Sequence, residues 1–137
     1  MLMLMDQGFS IVPELTLKTG RRADLTALSP KGDVWIIEIK SSLEDLRSDS
    51  KWRDYRDDCD QFYFATHQGV AQSHFPTEAG FILSDAYGAE IVSPSLEHRL
   101  AAAARKALTL RFARLAAGRA MRAELGLSQN DAFVDQP

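Results

Sequence analysis

Residues 33–40, DVWIIEIK, constrain the fold more than any other part of the chain. Side chains alternate along a strand, so Val34 and Ile36 lie on one face and Trp35 and Ile37 on the other. Both faces are apolar, and a strand of this kind is covered on both sides by other parts of the chain. The segment therefore predicts a central strand in a sheet that has further elements packed on each face.

The surrounding sequence predicts the neighbours of this strand. Residues 10–40 divide into three strands at the turn sequences KTG and SPKGD, and connections this short favour antiparallel neighbours. Residues 1–7 predict a short helix that ends before Gly8. Four further elements follow: a helix at 43–60, a strand at 61–66, a hairpin at 80–93 and a long helix at about 96–125. The order predicts one mixed α/β or α+β domain over residues 1–137.

The helix predicted at 43–60 starts at Ser42, which can cap it together with Asp45. Its apolar residues follow a helical spacing: Trp52, Tyr55, Cys59 and Phe62. Lys51 and Tyr55 are four residues apart, which predicts that they share one helix face.

Charge is distributed unevenly along the chain. The formal net charge is −3, yet residues 97–125 carry seven Arg and Lys against two Glu, and residues 61–96 carry no Lys or Arg. A basic helix can form a surface that faces phosphates, and it can equally be a solvated helix with balanced neighbours. The single cysteine, Cys59, excludes an internal disulfide and favours a reducing cytoplasm. No apolar run reaches the ~20 residues of a membrane span.

Two acids flank the turn that leads into the central strand. Glu38 ends that strand on the same face as Lys40, and Asp24 lies in the preceding strand, so a hairpin brings the two carboxylates together. Like charges held side by side favour a cation between them, and oxygen ligands select Mg²⁺ or Mn²⁺. Such an ion with Lys40 would suit phosphodiester hydrolysis. The structural alternative is a salt bridge of Lys40 with Asp24 or Glu38.

Asp24 followed after thirteen residues by Glu38-Ile39-Lys40 and then a helix resembles the PD-(D/E)XK nuclease superfamily. Four longer blocks resemble the bacterial MmcB-type DNA repair proteins: GRRADLTAL, WIIEIKSSLEDLRSDSKWRDYRDDCDQFYFA, EAGFILSDAYGAEIV and ARKALTLRFARLA. The resemblance implies a restriction-endonuclease-like α/β core with a mixed sheet flanked by helices. It implies Asp24, Glu38 and the Ile39 carbonyl as ligands of Mg²⁺ or Mn²⁺, with Lys40 as the catalytic lysine.

Additional site residues are predicted by the same resemblance. Members often add an acid from the first helix, and here Glu14 is the candidate substitute. The helix after the motif often contributes polar groups, for which Lys51 and Tyr55 are candidates. Their structural alternatives are a surface charge for Lys51 and core packing for Tyr55.

Four arginines are candidates for contact with DNA. Arg21 and Arg22 precede Asp24 and would grip phosphates, or else they form a solvated strand entrance. Arg111 and Arg114 lie on the last predicted helix, whose basic residues do not form one clean stripe, so some of them serve solvent or salt bridges.

The sequence thus predicts a metal-dependent DNA nuclease acting in repair, in the cytoplasm and without a membrane partner. Two alternatives stay open. One is a non-catalytic DNA-binding or adaptor module that retains the nuclease fold. The other is an interaction domain in which Lys40 merely neutralises the two acids.

Overall fold

A computed structural model describes residues 1–128, which form one sheet with helices on both faces. The six strands are β1 Ser10–Thr16, β2 Arg22–Leu28, β3 Val34–Ile39, β4 Gln61–His67, β5 Gly80–Ser84 and β6 Ala89–Ser93. The helices are α1 Leu2–Asp6, α2 Leu43–Ser48 and α3 Ala102–Glu124, with 3₁₀-helices at Trp52–Asp58 and Gln72–His74. This mixed sheet flanked by helices confirms the predicted α/β class.

The strands lie side by side in sequence order. β1, β2 and β3 are antiparallel, β3, β4 and β5 run parallel, and β6 turns back antiparallel to β5. The three parallel strands therefore end together at Ile39, His67 and Ser84, which we call the C-terminal edge of the sheet. The edge at which β3 and β4 begin is the N-terminal edge.

Both faces of β3 are covered, as the apolar run predicts. On one face Ile36 packs in a cluster with Phe62 and with Phe112 of α3. On the other face Ile37 packs with Tyr63 and with Leu4 of α1. A polar residue at the end of β3 therefore lies where two packed layers meet solvent.

The prediction of one continuous helix over residues 43–60 is wrong. Ser42 caps α2 as expected, accepting a hydrogen bond from the Asp45 N–H at 3.1 Å, but α2 ends at Ser48. Asp49 then accepts the Lys51 N–H on its own side chain at 3.2 Å, a local bond that competes with helix continuation. The 3₁₀-helix that follows has three residues per turn, so Trp52 and Tyr55 still face the core together.

The last helix begins at Ala102, six residues later than predicted, and ends at Glu124 close to the predicted end. Asp60 explains the late start, because it holds the preceding segment in an extended form. Its carboxylate accepts the Leu100 N–H at 2.8 Å, and its carbonyl accepts the His98 N–H at 2.8 Å. Within residues 1–128, no helix is long and apolar enough to cross a membrane.

Candidate active site

The backbone pairing of β2 with β3 stops before it reaches the first residues of β2 and the last residues of β3. The last paired positions are Leu25 and Ile37. Beyond them the side chains replace the ladder: the Asp24 N–H donates to Glu38 Oε2 at 3.0 Å, and the Ile39 N–H donates to Asp24 Oδ2 at 2.8 Å. Each acid thus bonds the backbone of the opposite strand, and these reciprocal bonds hold the two carboxyl groups side by side.

The alternation of faces in β2 is interrupted at Asp24. Strict alternation along a strand would put Ala23 on the face of Leu25 and Ala27, but Ala23 packs with the opposite core cluster. Across from Asp24 in β1, Glu14 has φ of 56°, a left-handed conformation that is unfavourable for a residue with a side chain. The alternation fails because β1 and β2 are both distorted at the position where the carboxylates meet.

Glu38 is buried, with 6% of its surface exposed. Burial, together with the hydrogen bond to the Asp24 side chain, raises the pKa of Glu38 to about 8, although the hydrogen bond with Tyr55 acts in the opposite direction. At neutral pH the folded protein therefore holds a proton on this acid, in the space between two carboxyl groups.

Tyr55 reaches the same site from the 3₁₀-helix. Its hydroxyl donates to the Arg22 carbonyl at 3.3 Å and lies within hydrogen-bonding reach of the Glu38 carboxyl. Burial raises the pKa of the Tyr55 hydroxyl, which stays protonated as a donor. The ring also stacks on Phe62 in the core, so Tyr55 combines the predicted site position with the predicted packing role.

Lys51 does not share a face with Tyr55, contrary to the helical prediction. A 3₁₀-helix turns about 120° per residue, so positions four apart point in different directions. Lys51 is exposed, and its carbonyl accepts a hydrogen bond from Arg21 at 3.1 Å.

Lys40 lies at the end of β3 but pairs with two acids that were not predicted as its partners, Asp49 and Asp45. Its Nζ is 2.9 Å from Asp49 Oδ2 and 3.9 Å from Asp45 Oδ1. The structural alternative, a bridge to Asp24 or Glu38, named the wrong partners. Its ion pair with Lys40 places Asp49, a third acid, beside the candidate site. The four-residue spacing of the two acids after the motif was the available signal.

Three charged residues around the carboxylate pair are held in ion pairs. Glu14 is 3.6 Å from Arg22, and both side chains are exposed. Arg21 is 3.2 Å from Asp54 and lies over the Tyr55 ring, 5.6 Å from its centroid. Arg21 therefore fixes the 3₁₀-helix beside the site, whereas Arg22 stays at the surface.

The two arginines predicted on the last helix have different surroundings. Arg111 donates to the Thr16 carbonyl at 3.2 Å, which ties α3 to β1. Arg114 is exposed on the same helix. Arg105, another basic residue of α3, binds the buried Asp60 through two parallel hydrogen bonds of 2.6 and 2.7 Å.

The available ligands suit one kind of ion. No group of three or more His, Cys, Asp and Glu within residues 1–128 is arranged to hold a metal. The pair of Asp24 and Glu38 is smaller, and each carboxyl group uses one oxygen for a backbone N–H and keeps the other for a proton or cation. Mg²⁺ is commonly held by only one or two carboxylates, with water and substrate phosphate completing its shell. The residues present therefore fit Mg²⁺ or Mn²⁺.

Comparison with known proteins gave two matches. A family model described as DNA repair protein MmcB-like matches residues 1–126. A solved structure, the SPO1766 protein of unknown function from Silicibacter pomeroyi, is 37% identical in sequence with a TM-score of 0.87. The match covers 96% of this chain and 88% of that one. The search of curated proteins gave no match.

Proposed function

The chain belongs to the MmcB-like family of DNA repair proteins, and on this premise we propose that Asp24 and Glu38 form the metal site of a DNA-hydrolysing phosphodiesterase. The observation that carries the proposal is the reciprocal bonding that holds two carboxyl groups side by side at the end of the central strand. Burial there, together with the neighbouring Asp24 side chain, raises the pKa of Glu38 to about 8. Fixing two acids together without a basic partner destabilises the fold, and a bound cation would remove that cost.

Asp24, Glu38 and the carbonyl of Ile39 are the proposed ligands, and Mg²⁺ or Mn²⁺ is the proposed ion. When bound, the ion would neutralise a phosphate oxygen and lower the pKa of a water molecule. Glu38 must lose its proton to become a ligand. Ion binding should therefore release a proton and strengthen as the pH rises to about 8.

The neighbouring residues have proposed roles that follow from their contacts. Lys40 would bring positive charge to the phosphate, balanced in the free protein by Asp49 at 2.9 Å. Tyr55 would orient the Glu38 carboxyl through its protonated hydroxyl. Glu14, across from Asp24, and Lys51 are proposed as additional site residues at the margin.

DNA is the proposed substrate, and Arg21, Arg22, Arg111 and Arg114 are the proposed phosphate contacts. Arg111 also docks α3 on β1, so the interface is tested at Arg114, which is exposed on the same helix. Arg114→Ala should weaken binding of all DNA sequences alike and reduce the slope of log affinity against log salt by roughly one. An unchanged slope, measured by titration at several salt concentrations, would remove Arg114 from the interface.

A second candidate function is a non-catalytic DNA-binding or adaptor module. The observation that favours it is the ion pairing of Lys40 with Asp49 and Asp45, which draws the lysine to acids other than the Asp24–Glu38 pair. In this alternative the protein binds DNA, and neither Mg²⁺ nor Mn²⁺ leads to cleavage.

A cleavage assay separates the two candidates. Single-stranded, duplex and branched DNA are incubated with the wild type in Mg²⁺, Mn²⁺ or EDTA, alongside Lys40→Ala and Lys31→Ala. Lys31 is an exposed lysine in the turn at the opposite edge of the sheet, so it serves as the control. We expect cleavage that requires metal, unchanged in the control and lowered roughly 10²- to 10³-fold by Lys40→Ala with the fold intact. A wild type that cuts none of these DNAs favours the binding module.

A further inference from the structure

Tyr87 lies at the tip of the turn between β5 and β6, with 98% of its surface exposed. Every other aromatic residue within 1–128 is buried or partly buried. An aromatic ring left entirely in water contributes nothing to the core, and single exposed apolar residues occur on many protein surfaces. Its position and the rigidity of its support distinguish this ring.

The backbone that carries Tyr87 is fixed by a neighbouring acid. Asp85 Oδ1 accepts the Tyr87 N–H at 2.7 Å and the Gly88 N–H at 3.0 Å, while the Asp85 N–H donates to the Gly88 carbonyl at 2.8 Å. These bonds close the turn independently of the ring. A partner that stacks on the ring therefore needs to order only the side chain, which lowers the entropic cost of binding.

The turn lies on the same edge of the sheet as the candidate active site. β5 runs parallel to β4 and β3, so the residues after Ser84 emerge beside those after Ile39. Two strand spacings separate the ends of β3 and β5, a distance of about 10 Å. A cavity of about 230 Å³ opens between them, lined at one end by Ile39 and Ser41 and at the other by Ser84 and Ala89.

This part of the edge cannot hold a DNA strand by ion pairs. Residues 61–96 contain no Lys or Arg, so β4, β5, β6 and their loops offer no cationic side chain other than histidine to a phosphate. The polar side chains that line the cavity are Lys40 at the end of β3, next to the candidate site, and beyond it the hydroxyls of Ser41, Thr66 and Ser84 and the imidazole of His67. A strand that crosses this edge would need a contact with its bases, and an exposed ring provides one.

We propose that Tyr87 stacks on an unpaired base of the DNA strand whose phosphate lies at Asp24 and Glu38. This inference rests on the proposed function and assigns its substrate class: DNA with a single-stranded segment beside the reacting phosphate. Tyr87 lies in the turn beyond Ser84, so at about 3.4 Å per stacked nucleotide the stacked base is several nucleotides from that phosphate. Base-paired DNA cannot offer a free base face there.

Binding measured in EDTA tests the inference separately from cleavage. Wild type, Tyr87→Ala, Tyr87→Phe and Val92→Ala are titrated with a duplex that carries a single-stranded overhang and with a blunt duplex. Val92 is exposed on β6 near the opposite edge, so it controls for loss of an apolar side chain. We expect Tyr87→Ala to weaken binding of the overhang DNA about 5- to 100-fold without changing the blunt duplex. Tyr87→Phe and Val92→Ala should bind like the wild type.

The salt dependence gives a second readout. Stacking releases no counterions, so the slope of log affinity against log salt should be the same for Tyr87→Ala and the wild type. Equal binding of all four proteins to both DNAs, equal loss on both DNAs, or a phenylalanine variant that behaves like alanine would overturn the inference. A wild type that binds overhang DNA through Tyr87 but never cuts contradicts the nuclease proposal alone. A wild type that binds no DNA contradicts both.

Discussion

Asp60 and Glu38 are buried acids at opposite ends of the central region of the sheet, and their pKa values are shifted in opposite directions. Asp60, at the N-terminal edge, is fully buried and accepts hydrogen bonds from Val34, Leu100 and Arg105. Burial alone raises its pKa, but these donors outweigh burial and lower the pKa to about 2. Glu38, at the C-terminal edge, lies beside a second carboxyl group instead, and burial together with this neighbour raises its pKa to about 8.

Asp60 and Glu38 show how a structural acid differs from an acid that is ready for a ligand. Every oxygen of the Asp60 carboxylate is bonded, and the acid joins β3, β4 and the segment before α3. In the Asp24–Glu38 pair each carboxyl group accepts one backbone N–H, and the proton held on Glu38 takes the place of a basic partner. Buried acids whose pKa is strongly perturbed by their surroundings are candidates for function.

The largest effect is expected from removing Asp60, the buried acid whose two oxygens are both hydrogen-bonded. Asp60→Ala removes the partner of Arg105 and leaves the N–H groups of Val34 and Leu100 without an acceptor. We expect a loss of about 3–5 kcal/mol in the free energy of unfolding, because the remaining groups stay buried. Urea denaturation measures it. A loss below about 1 kcal/mol would mean that Asp60 does not join these elements.

The next largest effect is the pH dependence of stability that Glu38 causes. The pKa of Glu38 is higher in the folded state than its ordinary value of 4.5, so its contribution to stability is lost as the pH rises from about 4.5 to about 8. Glu38→Gln mimics the protonated acid and should remove this dependence. Between pH 6 and pH 8 the wild type should lose about 2 kcal/mol relative to the variant. If the wild type and Glu38→Gln differ in free energy of unfolding by the same amount at pH 6 and pH 8, the raised pKa is contradicted.

The smallest effect concerns the geometry of the two parallel hydrogen bonds between Arg105 and Asp60. Arg105→Lys keeps the charge but cannot make the two parallel bonds to Asp60 or retain the full bonding to the Gly32 carbonyl. We expect a loss of roughly 1–2 kcal/mol, smaller than that of Asp60→Ala, since one charged bond remains. Equal losses for the two variants would show that the fork of the arginine, rather than its charge, carries the stabilisation.

Much of the fold followed from the sequence because its signals are local. The apolar run of β3, the turn at residues 18–20 and the capping residue Ser42 each specify a conformation through their own chemistry. The start of the last helix did not follow. It depends on Asp60, a residue about forty positions earlier whose carboxylate holds Leu100, and no local pattern reports such a bond.

The sequence predicted which residues of the candidate site lie together better than it predicted which residues they contact. Asp24, Glu38 and Tyr55 were placed together by strand pairing and by the resemblance, and the structure brings them together. The partner of Lys40 was missed, because the break between α2 and the 3₁₀-helix aims Asp49 back toward the lysine.

The central claim, that Asp24 and Glu38 form a cation site, is tested most directly by thermal melts above pH 8, where both carboxylates are charged. Wild type and Asp24→Asn are melted with Mg²⁺ and with EDTA. At ten times the dissociation constant, Mg²⁺ should stabilise the wild type by about 1.4 kcal/mol, a rise in Tm of roughly 3–5 °C. Asp24→Asn should melt higher than the wild type in EDTA, since one repelling charge is gone, and should lose most of the Mg²⁺ shift. A wild type whose Tm is indifferent to Mg²⁺, with Asp24→Asn melting lower in EDTA, would contradict the claim.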